Sequence, residues 1–351
     1  MYVLDTILLH KTEDLANHVI PIQAEPVKCN SLVMVLFDEC NLNCGFCMRQ
    51  NKDSTYYFES PNKMSRESIM AQVEMVKKVK QAITDPSDLS ISLVGGELFQ
   101  DKFDYAVYDE LFDALAGIFC ENPGDKIQIC IYSNFLFKYP QRVADLIERH
   151  KHQINFIFVL SFDFVGRYTK PYMIGRVMDN YMYLTRERNV DIVVAIIAHK
   201  PNIDAIVNQD SEYLPQLKFW MNDTDYCKVQ FGDYIDNGNP EFRSTADDLV
   251  RLYKFLIDNY PQCASVQALL SNLRIEQDHS CNELWVSRNG VRRCCHDIGD
   301  RKIHCLDTFG CFGCEFYENC PAMCYQAYYR HEYCWKRVIY QYLMEKGYKR
   351  K

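Results

Sequence analysis

The sequence predicts an α/β chain: an open, partial (β/α)6 barrel followed by a smaller cysteine-rich domain. Two observations carry this. Short apolar runs and amphipathic segments alternate about six times between residues 31 and 240, the pattern of parallel strands joined by right-handed helical crossovers. After about residue 260 the alternation stops, and cysteine, glycine and short polar stretches take over. Three parts are expected: an N-terminal extension over 1–30, a barrel core over 31–240 and a metal-built domain over 241–351.

The strand runs are 32–37, 89–94, 126–132, 155–162, 190–198 and 228–231. They are rich in Val, Ile and Phe and too short for free-standing helices, which marks them as buried strands. The clearest helix covers 65–83, with Ile69, Val73, Val76 and Ile83 on one face. Ser65 is placed to cap its N-terminus, and Met64 to pack on Ile69. Further helical patterns cover 104–119, 141–150, 176–188, 203–220 and 245–259.

Composition narrows the function. The chain has 351 residues, 48% hydrophobic and 25% charged, with a formal net charge of -8. This is the balance of a globular protein. No basic block lies in its body, so neither nucleic acid nor an acidic membrane surface is expected as a partner. No apolar run reaches the ~20 residues of a membrane span, and the short apolar stretch 3–9 contains Asp5 and lacks a basic leader. A cytoplasmic location is expected. The outlier is cysteine, with 17 residues. An odd number in a long chain without an export signal suits metal binding in a reducing compartment better than a disulfide scaffold.

The first cysteine group, Cys40-Asn41-Leu42-Asn43-Cys44-Gly45-Phe46-Cys47, directly follows the first strand. In barrel-like parallel folds chemistry is placed at that C-terminal end. Three thiolates would hold a four-iron cluster and leave one iron without a protein ligand. A zinc site would want a fourth ligand at short spacing, and none sits nearby.

C-x3-C-x2-C after the first strand, with an aromatic residue before the last cysteine, resembles the signature of radical S-adenosylmethionine (SAM) enzymes. The resemblance implies that Cys40, Cys44 and Cys47 hold a 4Fe-4S cluster whose open iron binds SAM. It also implies that one electron cleaves SAM to methionine and a 5′-deoxyadenosyl radical that abstracts hydrogen from a substrate, with Phe46 near the adenine. Gly95-Gly96-Glu97 at the end of the second strand is similar to the family's GGE element, with Leu98 where a proline is usual. Here two glycines allow close approach to a ligand, and Glu97 accepts from the methionyl ammonium. Ser133 and Asn134 end the third strand. Ser161-Phe162-Asp163 ends the fourth, Gly175-Arg176 opens the next helix, and Asn202 follows the fifth strand. The family places polar SAM ligands at these points, and its peptide-modifying members place there an arginine that reaches the SAM carboxylate.

The second group runs Cys281, Gly290, Cys295, then Cys311, Cys314, Cys320, Cys324 and Cys334. This arrangement resembles a SPASM domain, the auxiliary-cluster module of radical SAM enzymes. The resemblance implies two auxiliary 4Fe-4S clusters, one held by Cys311, Cys314, Cys320 and Cys334, the other by Cys281, Cys295 and Cys324. For the second, either another group (Cys263, Cys294, Cys305 or His279) supplies the fourth ligand, or one iron stays open. A zinc ribbon needs paired C-x2-C motifs, and only one occurs here.

Enzymes of this subfamily commonly act on peptides or proteins. The resemblance therefore implies a peptide-maturase-like enzyme making an oxidative modification or cross-link in a ribosomal peptide, with a flavodoxin or ferredoxin as electron donor. The 39 residues before Cys40 are too few for a winged-helix leader-recognition domain. A leader peptide is then expected to dock elsewhere. Three alternatives stay open: a radical SAM dehydrogenase of a small molecule, a sulfatase-type protein maturase, and a non-catalytic electron-transfer protein. Asp233, near a strand top, is a candidate general base.

Overall fold

The computed structural model describes residues 29–47, 61–83, 89–223, 227–234, 237–276, 283–287, 290–293, 310–321 and 331–350. Its strands are β1 (Ser31–Val35), β2 (Ser90–Val94), β3 (Ile127–Ser133), β4 (Ile154–Ser161), β5 (Asp191–Ile197), β6 (Cys227–Gly232), β7 (Glu283–Ser287) and β8 (Gly290–Arg293). They form one sheet in the order β6-β5-β4-β3-β2-β1-β7-β8. Every neighbouring pair is parallel except β7 with β8.

Helices α1 (Arg66–Lys80), α2 (Ala106–Phe119), α3 (Pro140–His150), α4 (Pro171–Met182), α5 (Lys200–Val207) and α6 (Leu214–Asn222) fill the crossovers. They cover one face of the sheet. On β3 the side chains of Ile127, Ile129 and Ile131 are buried while Gln128 and Tyr132 are exposed, the two-residue period of a strand whose faces differ. Ser65 caps α1 by accepting from Ser68 N at 3.3 Å, and Met64 packs on the core. Helices α7 (Ala246–Asn259), α8 (Ala264–Asn272) and α9 (Trp335–Glu345) follow. Helix α9 lies on α7, with the Tyr253 and Trp335 rings stacked 4.7 Å apart.

Three features differ from the sequence expectation. The sheet is larger than six strands: β7, inside the segment assigned to the second domain, pairs in parallel with β1, Val33 opposite Trp285. Its alternation of buried Leu284 and Val286 is only five residues long, too short to stand out between cysteines. Helix α4 begins at Pro171 rather than 176, because proline at the first turn needs no N–H partner and has its φ already set. Gly175 and Arg176 are therefore interior helix residues. The 203–220 pattern is two helices, broken where Gln209 takes φ 51 and the Asp210 carboxylate accepts from Glu212 N at 3.1 Å. No helix among the described residues is long and apolar enough to cross a membrane.

Candidate functional site

The loop from Cys40 to Cys47 leaves the C-terminal end of β1, and the end of β2 is laced to its root. Gly96 N donates to the Phe37 carbonyl at 2.7 Å and Glu97 N to the Glu39 carbonyl at 2.9 Å. A Cβ on Gly96 would overlap the Glu39 carbonyl, and one on Gly95 would lie 2.9 Å from the Phe37 oxygen. The close approach that these glycines permit is thus made by the backbone leading into Cys40, where a ligand was expected.

Glu97 lies beneath the loop and is 1% exposed. Its Oε1 accepts from Ser133 Oγ at 2.8 Å and Phe99 N at 3.0 Å, and its Oε2 from Asn134 N at 2.6 Å. Burial raises its pKa, and the bonds from Asn134, Phe99 and Ser133 oppose that rise. Asn134 Nδ2 donates to Asn41 Oδ1 at 2.8 Å, joining the end of β3 to the cysteine loop. Gly95, Gly96, Glu97, Ser133 and Asn134 are therefore gathered against one side of the Cys40 segment.

The ends of β4 and β5 form the other side. Asp163 is fully buried. Its Oδ1 accepts from Asn202 Nδ2 at 2.6 Å and Ile197 N at 2.9 Å, and its Oδ2 from Arg167 Nε at 2.6 Å. Burial raises the Asp163 pKa, against the pull of Arg167. Burial also opposes the Arg167 charge, yet Asp163 and then Cys44 hold that guanidinium above its ordinary pKa. The guanidinium lies over the Phe46 ring, 5.1 Å from its centroid, a cation–π arrangement. Tyr168 OH donates to the carbonyls of Ser161 at 2.9 Å and Asn134 at 3.2 Å, so Ser161 meets this hub through its backbone. Phe46 also packs on His199, ring centroids 4.6 Å apart. His199 is fully buried, caps α5 by accepting from Asn202 N at 3.2 Å, and has its pKa lowered to about 3 by burial and then by Arg167.

Arg176 is not part of this cluster. It lies on the exposed face of α4, because the helix starts at Pro171 and turns that position outward. The arginine beside the cysteine loop is Arg167, which sequence reading missed along with His199. The sequence offered only its spacing, four residues after Asp163, which says nothing of burial; in the structure the preceding Gly166 has φ 86 and faces the Phe242 and Phe46 rings. Asp233 is exposed at the end of β6.

Cys40 is exposed, Cys47 half-buried and Cys44 buried. Although Cys40 reaches solvent, the protein packed around it partly desolvates the thiol and pushes it up to about 12, with Glu97 adding to the rise. Burial pushes Cys44 up to about 11, with Arg167 opposing. In the C-terminal group, burial and then the charges of Cys334, Cys320 and Cys314 push Cys311 up to about 11. Cys334 is raised by burial, with Cys320 and Cys314 adding. These four thiols therefore share one neighbourhood. Cys263 sits in the core, its thiol donating to the Val229 carbonyl at 3.3 Å. Cys281, Cys295 and Cys324, with Cys294, Cys305 and His279, lie outside the described residues.

Among the described residues, no three His, Cys, Asp or Glu side chains are arranged to hold a metal ion. Both groups are nonetheless thiol-only donor sets, the chemistry that iron–sulfur clusters take. The first projects an exposed thiol from a loop held on one side by the Glu97 network and on the other by Arg167 over Phe46, and these residues fit the group that the sequence implies.

No protein-family model matches the chain, and no curated protein does. Solved structures do. "Native anSMEcpe with bound AdoMet" superposes with TM-score 0.60 at 15% identity, over 90% of this chain and 96% of that one. The same protein with bound AdoMet and the Cp18Cys peptide gives TM-score 0.61 at 16% identity, over 90% and 96%. SuiB of Streptococcus suis gives TM-score 0.51 at 16% identity, over 87% and 75%. Both are SPASM-type radical SAM enzymes, and the fold described here, with its cysteine-rich C-terminal part, is the radical SAM partial barrel.

Proposed function

We propose that this chain is a radical SAM enzyme that modifies a peptide or protein, with Cys40, Cys44 and Cys47 holding the SAM-binding 4Fe-4S cluster. The observation that carries the reading is the convergence on one loop of three thiols, the Glu97–Ser133–Asn134 network and the buried Asp163–Arg167 pair. When bound, the cluster would supply the electron for reductive cleavage of SAM, the chemistry that yields hydrogen abstraction from a substrate.

The residues have separable tasks. Arg167 is a permanent cation beside the loop and is assigned the SAM carboxylate in place of Arg176. Asp163, tied to β5 through Ile197 N and Asn202, fixes that guanidinium without reaching solvent. Phe46, packed between Arg167 and His199, is the apolar wall for the adenine. Glu97, Ser133, Asn134 and Ser161 form the polar floor behind the sulfur ligands. A barrel mouth closed by such groups keeps water from a reactive intermediate.

Cys311, Cys314, Cys320 and Cys334 are assigned one auxiliary cluster, and Cys281, Cys295 and Cys324 a second. Held there, such clusters would supply an acceptor for the electron that a substrate radical must lose, which suits a net two-electron oxidation. The division into an extension over 1–30, a radical SAM core over 31–240 and an auxiliary-cluster domain over 241–351 belongs to this reading, as do a cytoplasmic setting and a flavodoxin or ferredoxin donor. A peptide substrate is favoured because anSMEcpe, of the same fold, holds AdoMet together with a peptide.

The test is iron and sulfide content after anaerobic reconstitution, with SAM cleavage under a strong reductant. Wild type should carry roughly twelve irons, and Cys40→Ala/Cys44→Ala/Cys47→Ala about eight with SAM cleavage lost. Tightly bound zinc without SAM cleavage would leave a metal-stapled binding protein instead.

A further inference from the structure

The cysteine loop is gripped from outside by a segment far away in sequence. Asn237 Nδ2 donates to the Gly45 carbonyl at 2.8 Å and to the Cys47 carbonyl at 3.4 Å. Asn239 Nδ2 reaches the same Gly45 oxygen at 3.4 Å. The direction of the Asn237 amide is fixed, because its Oδ1 accepts from Tyr234 OH at 2.8 Å and Asn239 N at 3.1 Å. That leaves Nδ2 for the loop. Asn239 is likewise oriented, its Oδ1 accepting from Glu241 N at 3.1 Å. Behind the amides Phe242 closes on the loop: a Cβ on Gly45 would lie 2.9 Å from its ring. Glycine at 45 therefore makes room for this clasp.

We propose that Asn237, backed by Asn239, is a positioning residue that sets the orientation of the Gly45–Phe46 peptide and thereby the face that the cysteine loop turns to its cluster. The peptide is trans, so its C=O and N–H point in opposite directions. With the Gly45 oxygen held by two amides, the Phe46 N–H is turned away from the clasp, and it has no backbone acceptor among the described residues. Thiolate-ligated clusters are tuned by hydrogen bonds to their sulfurs, and the clasp decides which face of the loop offers one. The pinning rests on the geometry alone. Its effect on a cluster rests on the function proposed above.

Two readouts test this on the full chain, in wild type, Asn237→Asp, Asn237→Ala and the milder Asn239→Ala. The first is the alkylation rate of Cys44 in iron-depleted protein, followed by mass spectrometry. Cys44 is buried, and loosening the loop exposes it. The Asn237 variants should react about tenfold faster, the loss of roughly one or two hydrogen bonds, and Asn239→Ala should fall between. Cys263, buried and bonded to Val229 in the core, is the control and should not change. Asp at 237 keeps the shape and both bonds to Oδ1 but sets an acceptor against two carbonyls, so it should be at least as disruptive as Ala. The second readout is the midpoint potential of the SAM-responsive electron paramagnetic resonance signal in reconstituted protein, expected to move to lower values in Asn237→Asp. An unchanged Cys44 rate, or Cys44 and Cys263 rising together, overturns the clasp. A protected Cys44 in a wild type lacking any SAM-responsive signal upholds the clasp and overturns the cluster reading instead.

Discussion

Asp163 and Arg167 form a buried ion pair, Oδ2 to Nε at 2.6 Å, one turn apart at the end of β4. The carboxylate is sealed from water, while the Arg167 side chain keeps 14% exposure and lies over Phe46 of the cysteine loop. Removing the cation strands a desolvated carboxylate. Arg167→Met should therefore cost about 3–5 kcal/mol in urea unfolding, far more than Arg176→Met on the open face of α4. Asp163→Asn/Arg167→Met should recover much of that loss, since the amide still accepts from Ile197 and donates without a charge to bury. Equal losses in the single and double variants would show that the pair is not what holds this corner.

His199 supplies a pH dependence of known sign. Its folded pKa of about 3 lies below the ordinary histidine value of 6.5, so the unfolded chain takes up the proton first. The stability is present in full above pH 6.5 and is lost as pH falls toward about 3, at roughly 1.4 kcal/mol per pH unit. His199→Asn keeps an N-cap acceptor for Asn202 N and does not titrate. Between pH 6.5 and 5, wild type should lose roughly 1–2 kcal/mol more than this variant in urea unfolding. Matching slopes would mean that the imidazole is solvated or charged in the folded state.

The six core strands were legible within a residue or two because each is a short run of Val, Ile and Phe bounded by polar residues. The cysteine loop and its partners were legible because they recur at successive strand ends. Arg167 was not, since an arginine in a loop carries no sign of burial. Its place depends on Asp163 being sealed by Asn202 and Ile197, which are distant in sequence. Helix α4 misled for a local reason: the glycine at 175 looks like a helix start, yet Pro171 supplies one earlier. The β7–β8 pair escaped notice because it owes its existence to the exposed edge of β1, a feature of the assembled sheet.

The glycines divide by what surrounds them. Gly96 faces the Glu39 backbone, which cannot yield as a side chain can, so Gly96→Ala should push the ends of β1 and β2 apart. The expected result is little soluble protein, or protein that binds no iron. Gly175 is interior to α4, and a Cβ added there would meet nothing within 4 Å. Gly175→Ala should raise stability by about 0.5–1 kcal/mol through helix propensity. Thermal unfolding of the two variants side by side distinguishes a glycine kept for space from one that is merely tolerated.

The two cysteine groups should separate the reaction into halves. Cys311 and Cys314 lie on a short turn, Cys314 N donating to the Cys311 carbonyl at 2.9 Å, and both share the neighbourhood of Cys320 and Cys334. This group lies beside α9, with Cys334 at the helix N-cap, and no contact joins it to Arg167 or Phe46 among the described residues. Cys311→Ala/Cys314→Ala should therefore lose roughly four irons and keep SAM cleavage to 5′-deoxyadenosine, while oxidation of a peptide substrate falls away. Product analysis by mass spectrometry, with 5′-deoxyadenosine counted in the same samples, reads both halves. Loss of SAM cleavage together with the four irons would make this group a structural staple for the whole barrel. Intact peptide oxidation would remove the auxiliary cluster from the electron path.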